Sequence, residues 1–377
     1  MRELLGLKRR ISNRVRSYPS TSRRFFSRGW DRYADAMVRD APFLRVRKGE
    51  GGDGRGVYST HFLSSGTELY RCRPLATRVV SWGSSAVEEC TCRYCLRPAP
   101  SNTFAVDGFG QVRSNYCSAT CRDAALACRD EILLQCEGAG TTKDLLDIYA
   151  RDDRKFPLMI TEIIARILSD LRRGTIADVS CADHVGNLCH QNYAKSTVAA
   201  LEEEHEAVIR AFSDANVVGH DDLRTFFPLR EYARMVGALQ LNAFEVVTRD
   251  DLVAVALLPG VASFFNHACE PSVSVSVDET TGEIVFVTTK DVPRFAQLHI
   301  AYVDVTDGSD ACAERSTSLY DKYGFRCACS AETPLQVPSL RDAPPAAAAV
   351  GMEEDEEGRG IAGRPRKRKR RRGRRRT

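Results

Sequence analysis

The sequence is short of three things, and each shortage narrows the reading. No apolar run approaches the ~20 residues that cross a bilayer, so no membrane partner is expected. No leader with an apolar core is visible at the amino end. The 14 cysteines, several of them clustered, are therefore expected as reduced metal ligands before disulfides. Acids are nearly missing from both ends. Residues 1–28 hold nine Lys/Arg against one Glu, and residues 361–377 hold eleven Lys/Arg and no acid. Since the chain as a whole carries only +4, residues 29–360 carry −15. An acidic body suits a basic peptide as partner, and basic ends suit polyanions or transport receptors. The 377 residues are enough for one large or two modest domains with a sizeable core.

Taken in order, residues 1–40 form a basic extension. Its Arg- and Ser-rich composition fits a mitochondrial transit peptide and equally a mobile basic arm. Strand-like alternation begins at Phe43–Val46, breaks at Gly51–Gly56, resumes at Val57–Thr60 and recurs within Thr67–Val80. Cys92 and Cys95, then Cys117 and Cys121, are two pairs at zinc spacing. The second pair falls where a helix should begin, with Ser118 as its N-cap, so that both sulfurs share one face. Buried free thiols are the alternative, common for single cysteines and uncommon for two pairs. Residues 141–241 read as helices, with Met159, Ile160, Ile163, Ile164, Ile167 and Leu168 at helical spacing. Breaks are expected at Gly174, Asp183–Asn187 and Ser213–His220. His184, Cys189 and His190 lack a clear fourth ligand and read as loop or core.

The densest stretch is Val261–Ser272, VASFFNHACEPS. Asn266 and His267 follow an apolar run directly, so both need partners if that run is buried. Around them the pattern predicts a buried strand at Leu252–Leu257, a hairpin of Ser272–Val277 with Ile284–Val287, a strand at Gln297–Tyr302 and a polar helix at Ser309–Tyr323. Tyr323-Gly-Phe325-Arg-Cys327-Ala-Cys329 follows. After Cys329 the chain turns Pro/Ala-rich, then acidic, then Arg/Lys-rich, the composition of a disordered tail.

Asn-His-x-Cys-x-Pro, an apolar strand ending in Tyr302, and Tyr-x-Phe-x-Cys-x-Cys, in this order, resemble the catalytic half of SET-domain lysine methyltransferases. Tyr116-Cys117-Ser118-x-x-Cys121 resembles the MYND finger, and together these point to the SET-and-MYND family, in its shorter form. The resemblance implies an α+β chain: a β-rich SET fold with a pseudoknot, interrupted by a small zinc finger and a helical insert. The expected boundaries are 41–89 for the first SET part, 90–137 for the finger and 138–241 for the insert. The SET core then covers 242–308, a post-SET region 309–335 and the tail 336–377. The family's finger holds two zincs. Here Gly108 and its neighbours replace the middle Cys pair and the final His-x-x-x-Cys is missing, so one zinc is expected to remain on Cys92, Cys95, Cys117 and Cys121.

Site roles follow from the resemblance in the same way. Tyr302 should orient the lysine amine, Tyr323 should wall the lysine channel, and Phe244 should line it. Asn266 and His267 should hold the amino-acid end of S-adenosylmethionine through side chain and backbone. Asn242, Ser263, Arg55 and Gly56 join as cofactor contacts, and Phe325 packs on the adenine. For Asn242 and Phe244, helix-end capping and core packing stay open. Cys269, Cys327 and Cys329 match three of four post-SET zinc ligands. Glu332 stands where the last Cys should be, which leaves that second metal open.

The implied reaction is methyl transfer to a lysine of a histone or another basic protein, such as a ribosomal protein. A catalytically weak scaffold for protein or RNA is the alternative. A monomer is expected, in nucleus and cytoplasm or, on the transit-peptide reading, in mitochondria. The basic tail is expected to meet nucleic acid or an import receptor.

Overall fold

A computed structural model describes residues 8, 11–13, 15–16, 30–49, 54–79, 91–99, 106–107, 113–152, 154–174, 181–247, 253–303 and 309–327. Cys90, Cys329, Glu332 and the tail lie outside these residues.

Short strands come from the two ends of the described chain. β1 (Leu44–Lys48) pairs antiparallel with β2 (Arg55–Ser59). Leu44 and Val46 turn inward while Arg45 and Arg47 turn out, as the period of two demands. β3 (Glu68–Cys72) and β4 (Ala76–Val79) follow, and Val106–Asp107 (β5) pairs with Arg113–Ser114 (β6). After the helices come β7 (Ala243–Val247), β8 (Val253–Leu257), β9 (Asn266–His267), β10 (Val273–Asp278), β11 (Glu283–Thr288) and β12 (Gln297–Ile300). The sheets run β1-β2-β12-β9, β10-β11-β3 and β4-β8-β7, so each combines strands from both ends. Three of the four sheets are antiparallel throughout, and β9 lies parallel to β12, with Asn266 opposite His299 and His267 opposite Ile300.

Helices fill the middle. α1 (Trp30–Met37) precedes the sheets. α2 (Ala119–Ala125) starts at Ser118, whose hydroxyl accepts the Cys121 N–H at 3.1 Å, as the N-cap reading requires. A π-helical segment, Leu126–Asp130, joins it to α3 (Glu131–Gly138). α4 (Lys143–Asp152) and α5 (Phe156–Arg173) follow. The predicted apolar stripe of α5 is buried, and Gly174 ends that helix in the left-handed conformation at φ 74°. Each such buried Ile or Leu contributes about 1.5–3 kcal/mol.

The remaining helices are α6 (Cys181–Asn187), α7 (Lys195–Ala200), α8 (Glu202–Ser213), α9 (His220–Phe226), α10 (Leu229–Asn242) and α11 (Ser309–Tyr323). The break expected at Asp183–Asn187 is instead the body of α6. Asp183 and His184 are buried there, and Tyr33 of α1 hydrogen-bonds His184 Nδ1, so tertiary contacts override the weak local preference.

A buried ion-pair lattice joins the cysteine-rich segment to α5. Arg129, 2% exposed, reaches Asp130 at 3.0 Å and Glu162 of α5 at 2.9 Å. It also donates to the carbonyls of Leu75 and Arg93, at 3.1 and 3.0 Å. Arg93 pairs with Glu137 at 2.6 Å and lies 3.5 Å from Asp130. The Tyr116 hydroxyl donates to Asp130 at 2.8 Å, and Glu162 accepts the Thr77 N–H of β4 at 3.0 Å. Burial alone would raise the Asp130 carboxyl, but Arg93 and Arg129 beside it hold it below the usual range.

Candidate active site

Asn266 and His267 leave the 3₁₀ turn Gly260–Phe264 as a two-residue strand against β12. The pairing places Tyr302, two residues beyond β12, next to His267. The Tyr302 backbone N–H donates to His267 Nδ1 at 3.1 Å, and the Tyr302 hydroxyl donates to the Phe265 carbonyl at 2.6 Å. α11 ends at Tyr323, whose ring centroid is 5.0 Å from that of Tyr302. Phe325 closes the group, its ring 6.3 Å from Tyr302 and from Tyr323 and 6.2 Å from His267. Burial, then the neighbouring Tyr323 phenol, pushes the Tyr302 phenol well above its ordinary range, so it stays protonated at neutral pH. Burial and then Glu245 raise Tyr323 in the same sense.

A cavity of about 1080 Å³ opens here, lined among others by Asn242, Phe244, Ser263, Phe265, Tyr302 and Tyr323. Phe244 enters because α10 runs straight into β7, where Phe244 pairs with Ala256 of β8. Asn242, the last residue of α10, donates to the carbonyls of Cys189 and Ala238, at 2.8 and 2.7 Å. Ser263 donates to the Leu258 carbonyl at 2.8 Å.

Arg55, Gly56, Asn266 and His267 do not line this cavity. They form a second cluster that meets it at Asn242 and Tyr302. Arg55 lies 3.8 Å from the Cys189 sulfur, and its guanidinium sits 4.3 Å from the Trp30 ring centroid and 5.2 Å from that of Phe264. Gly56 is pressed against Asn266: a Cβ there would lie 3.1 Å from Asn266 Nδ2 and 2.4 Å from Gln297 Nε2. A side chain there would have to move the end of Gln297 and shift Asn266 by a few tenths of an ångström.

The four finger cysteines converge. Their sulfurs lie within 4.8 Å of one another, with Cys95 to Cys117 at 3.4 Å and Cys117 to Cys121 at 3.6 Å. Four thiolates around zinc at 2.3 Å would stand about 3.8 Å apart, so the set fits a tetrahedral ion. The hydrogen bond between Cys92 and Cys95 draws Cys92 down and pushes Cys95 up to about 12, the mark of crowded sulfurs. Arg97 donates to Cys95 and Cys117, at 3.4 and 3.2 Å, and to the Thr280 carbonyl, tying the finger to the β10–β11 turn. Cys128 and Cys136 join no metal-type cluster among the described residues.

A second group is His267, Cys269 and Cys327. Cys269 Sγ is 3.4 Å from both Cys327 Sγ and His267 Nε2. Because Nδ1 accepts from Tyr302, neutral His267 carries its proton on Nε2 and points it at Cys269. The ring is thus a donor to the sulfur, not a third metal ligand. Both ring nitrogens are engaged inside the protein. Cys329 lies outside the described residues.

Sequence reasoning missed Trp30, placed in the basic extension, and Cys189, Glu245 and the Phe265 carbonyl. Trp30 and Cys189 sit in no motif, and a carbonyl acceptor leaves no trace in side-chain pattern.

A family model, the SET domain, matches residues 54–303. A SET and MYND domain-containing protein of Dictyostelium discoideum is 23% identical over 57% of this chain and 62% of its own length. The SET domain and MYND-type zinc finger protein 6 of Schizosaccharomyces pombe is 26% identical over 34% of this chain and 26% of its own. The chain spans less than two thirds of the length of these curated relatives. Among solved structures, the SET domain of LSMT bound to lysine and AdoHcy aligns with a TM-score of 0.35 at 12% identity, covering 82% of this chain and 58% of that one.

Proposed function

This chain belongs to the SET domain family, among relatives named for SET and MYND domains, and from that premise we propose that it is a protein-lysine N-methyltransferase. The observation that carries the reading is the gathering of Tyr302, Tyr323 and Phe325 around the Asn266–His267 strand. S-adenosylmethionine, when bound, supplies a methyl already activated by its sulfonium. The Asn266 side chain packs on the Gly56 backbone beside Gln297, which fits a ligand held close to that strand. Arg55 and Asn242 meet at Cys189 beside it, and Ser263 lines the adjoining cavity.

The chain's own work is to align a lysine, keep water away and keep the amine neutral. Holding a lysine of pKa 10.4 neutral at pH 7 costs about 4–5 kcal/mol, a cost that the apolar walls of Phe244, Tyr302 and Tyr323 help meet by disfavouring the ammonium. Tyr302, protonated and fixed by the Phe265 carbonyl, presents its oxygen as acceptor to the amine. In-line alignment supplies much of the remaining acceleration. The charge of −15 over residues 29–360 favours a basic segment as substrate, such as a histone or ribosomal protein, while on the cavity lining Glu245 and Asp321 are balanced by Lys155 and Lys322. The Arg/Lys-rich tail is proposed as an import address to the nucleus.

The test is radiolabelled methyl donor with cell extract. The protein should label a protein band, and Tyr302→Phe should lose at least about a hundredfold in rate, the scale of removing one transition-state contact. Absence of both labelling and cofactor binding by the unaltered chain would overturn the reading.

A further inference from the structure

We propose that the outer face of β1, together with the two loops beside it, binds single-stranded RNA. Arg45 and Arg47 share one face of the edge strand β1, opposite the buried Leu44 and Val46, and Phe43 sits in the turn just before it. Side chains on one face of a strand recur about every 7 Å, a repeat that an extended nucleic acid strand can follow. Phe43 is 42% exposed, Phe62 in the loop after β2 is 60% and Phe295 before β12 is 56%. The segments are stitched together. Thr60 N–H donates to the Phe43 carbonyl, Phe295 N–H to the Ser59 carbonyl, and Arg294 Nε to the Thr60 carbonyl.

Two features mark this face as built to bind. Phe295 holds φ at +66°, as the third residue of a turn closed by Ala296 N–H on the Pro293 carbonyl. Bulky L-residues rarely take that conformation, where glycine would be at ease. The chain instead keeps a strained phenyl ring in water, a sign that the ring has a use. The charges agree. Arg45, Arg47 and Arg294 have no carboxylate partner among the described residues. They are oriented by the carbonyls of Leu44, Phe295 and Thr60, at 2.8, 3.3 and 3.0 Å. Arg294 stacks on Phe295 at 4.4 Å and Arg47 on Tyr58 at 4.0 Å. Rings alternating with unpaired guanidiniums fit stacked bases and phosphates. An acidic helix would want a groove, and an anionic lipid surface, which also takes Phe beside Arg, is the alternative that a vesicle titration separates.

Arg47 lies opposite Gly56, so the test is a direct titration with no methyl donor present. The full chain is titrated against fluorescein-labelled oligouridylate and against duplex RNA, with anisotropy as readout. Phe62→Ala combined with Phe295→Gly should weaken oligouridylate binding at least about tenfold, the scale of losing a stacking platform. Duplex binding through the basic ends should be unchanged. Phe295→Gly should melt no lower than the unaltered chain, which separates lost binding from lost folding. Arg45→Gln with Arg294→Gln should reduce the slope of log affinity against log salt by about 1.4, near 0.7 per phosphate contact. Unchanged oligouridylate affinity and slope in these variants would overturn the proposal. So would variants that lose binding to phosphatidylserine vesicles or polyglutamate while keeping oligouridylate.

Discussion

Replacing Arg129 with methionine isolates the contribution of the buried ion-pair lattice. Methionine keeps the length and apolar stem of the side chain, so what is lost is charge and hydrogen bonding. Asp130 would retain Arg93 at 3.5 Å and the Tyr116 hydroxyl at 2.8 Å. Glu162 would retain the Thr77 N–H at 3.0 Å but lose the cation it meets at 2.9 Å. The carbonyls of Leu75 and Arg93 would each lose a donor. Removing one partner of a buried pair costs about 3–5 kcal/mol, because the other charge is left uncompensated. We expect about 4 kcal/mol from the urea midpoint at unchanged slope. Adding Glu162→Gln should restore about half of it, since the amide oxygen can still accept from Thr77 and no charge remains to be balanced. A loss under 1 kcal/mol, or no recovery in the double variant, would refute the assignment of the lattice as a major stabilising contact.

Gly56→Ala should raise the KM for S-adenosylmethionine about tenfold, the effect of roughly 1.4 kcal/mol, because the new methyl displaces Gln297 and crowds Asn266; steady-state kinetics with varied cofactor checks it. His184 is pushed down to about 4 by burial, so the folded state refuses a proton that the unfolded chain takes below about 6.5. That stability is intact above pH 6.5 and is lost as pH falls toward 4, up to about 3 kcal/mol. His184→Asn, whose amide can still bond Tyr33, should flatten this part of the curve in urea titrations at stepped pH. Metal analysis should return at least about one zinc per chain, and Cys92→Ser should remove it and lower the melting temperature; a zinc-free native chain would rule out the finger.

Much of the site was legible because its parts are local words in the sequence. The hairpin of β10 and β11, the stripe on α5 and the Ser118 cap are written in short-range pattern. Two Cys pairs at zinc spacing converge as that spacing requires. What escaped depends on contacts between distant residues. Nothing near Arg129 announces that Glu162, 33 positions on, will neutralise it, and the π segment that aims Arg129 inward has no periodicity of its own. Trp30 reaches Arg55 only because α1 packs beside α6, and α6 itself was hidden by the polar look of Asp183–Asn187. His267 shows the same limit at finer scale. Its place in the motif was plain, but which nitrogen carries the proton follows from one backbone donor, Tyr302.

The order of strands in the first sheet has a consequence during synthesis. β2 ends at Ser59, yet the strand beside it, β12, begins at Gln297. At about 5–20 residues per second a ribosome needs roughly 12–48 s to cover that interval. Through all of it the growing chain carries a two-stranded ribbon whose β2 side lacks its partner, while the helices and cysteine finger can already form. A polypeptide stalled before Gln297 would own most of its core but neither β12 nor Tyr302, so a holding chaperone is most needed late in translation.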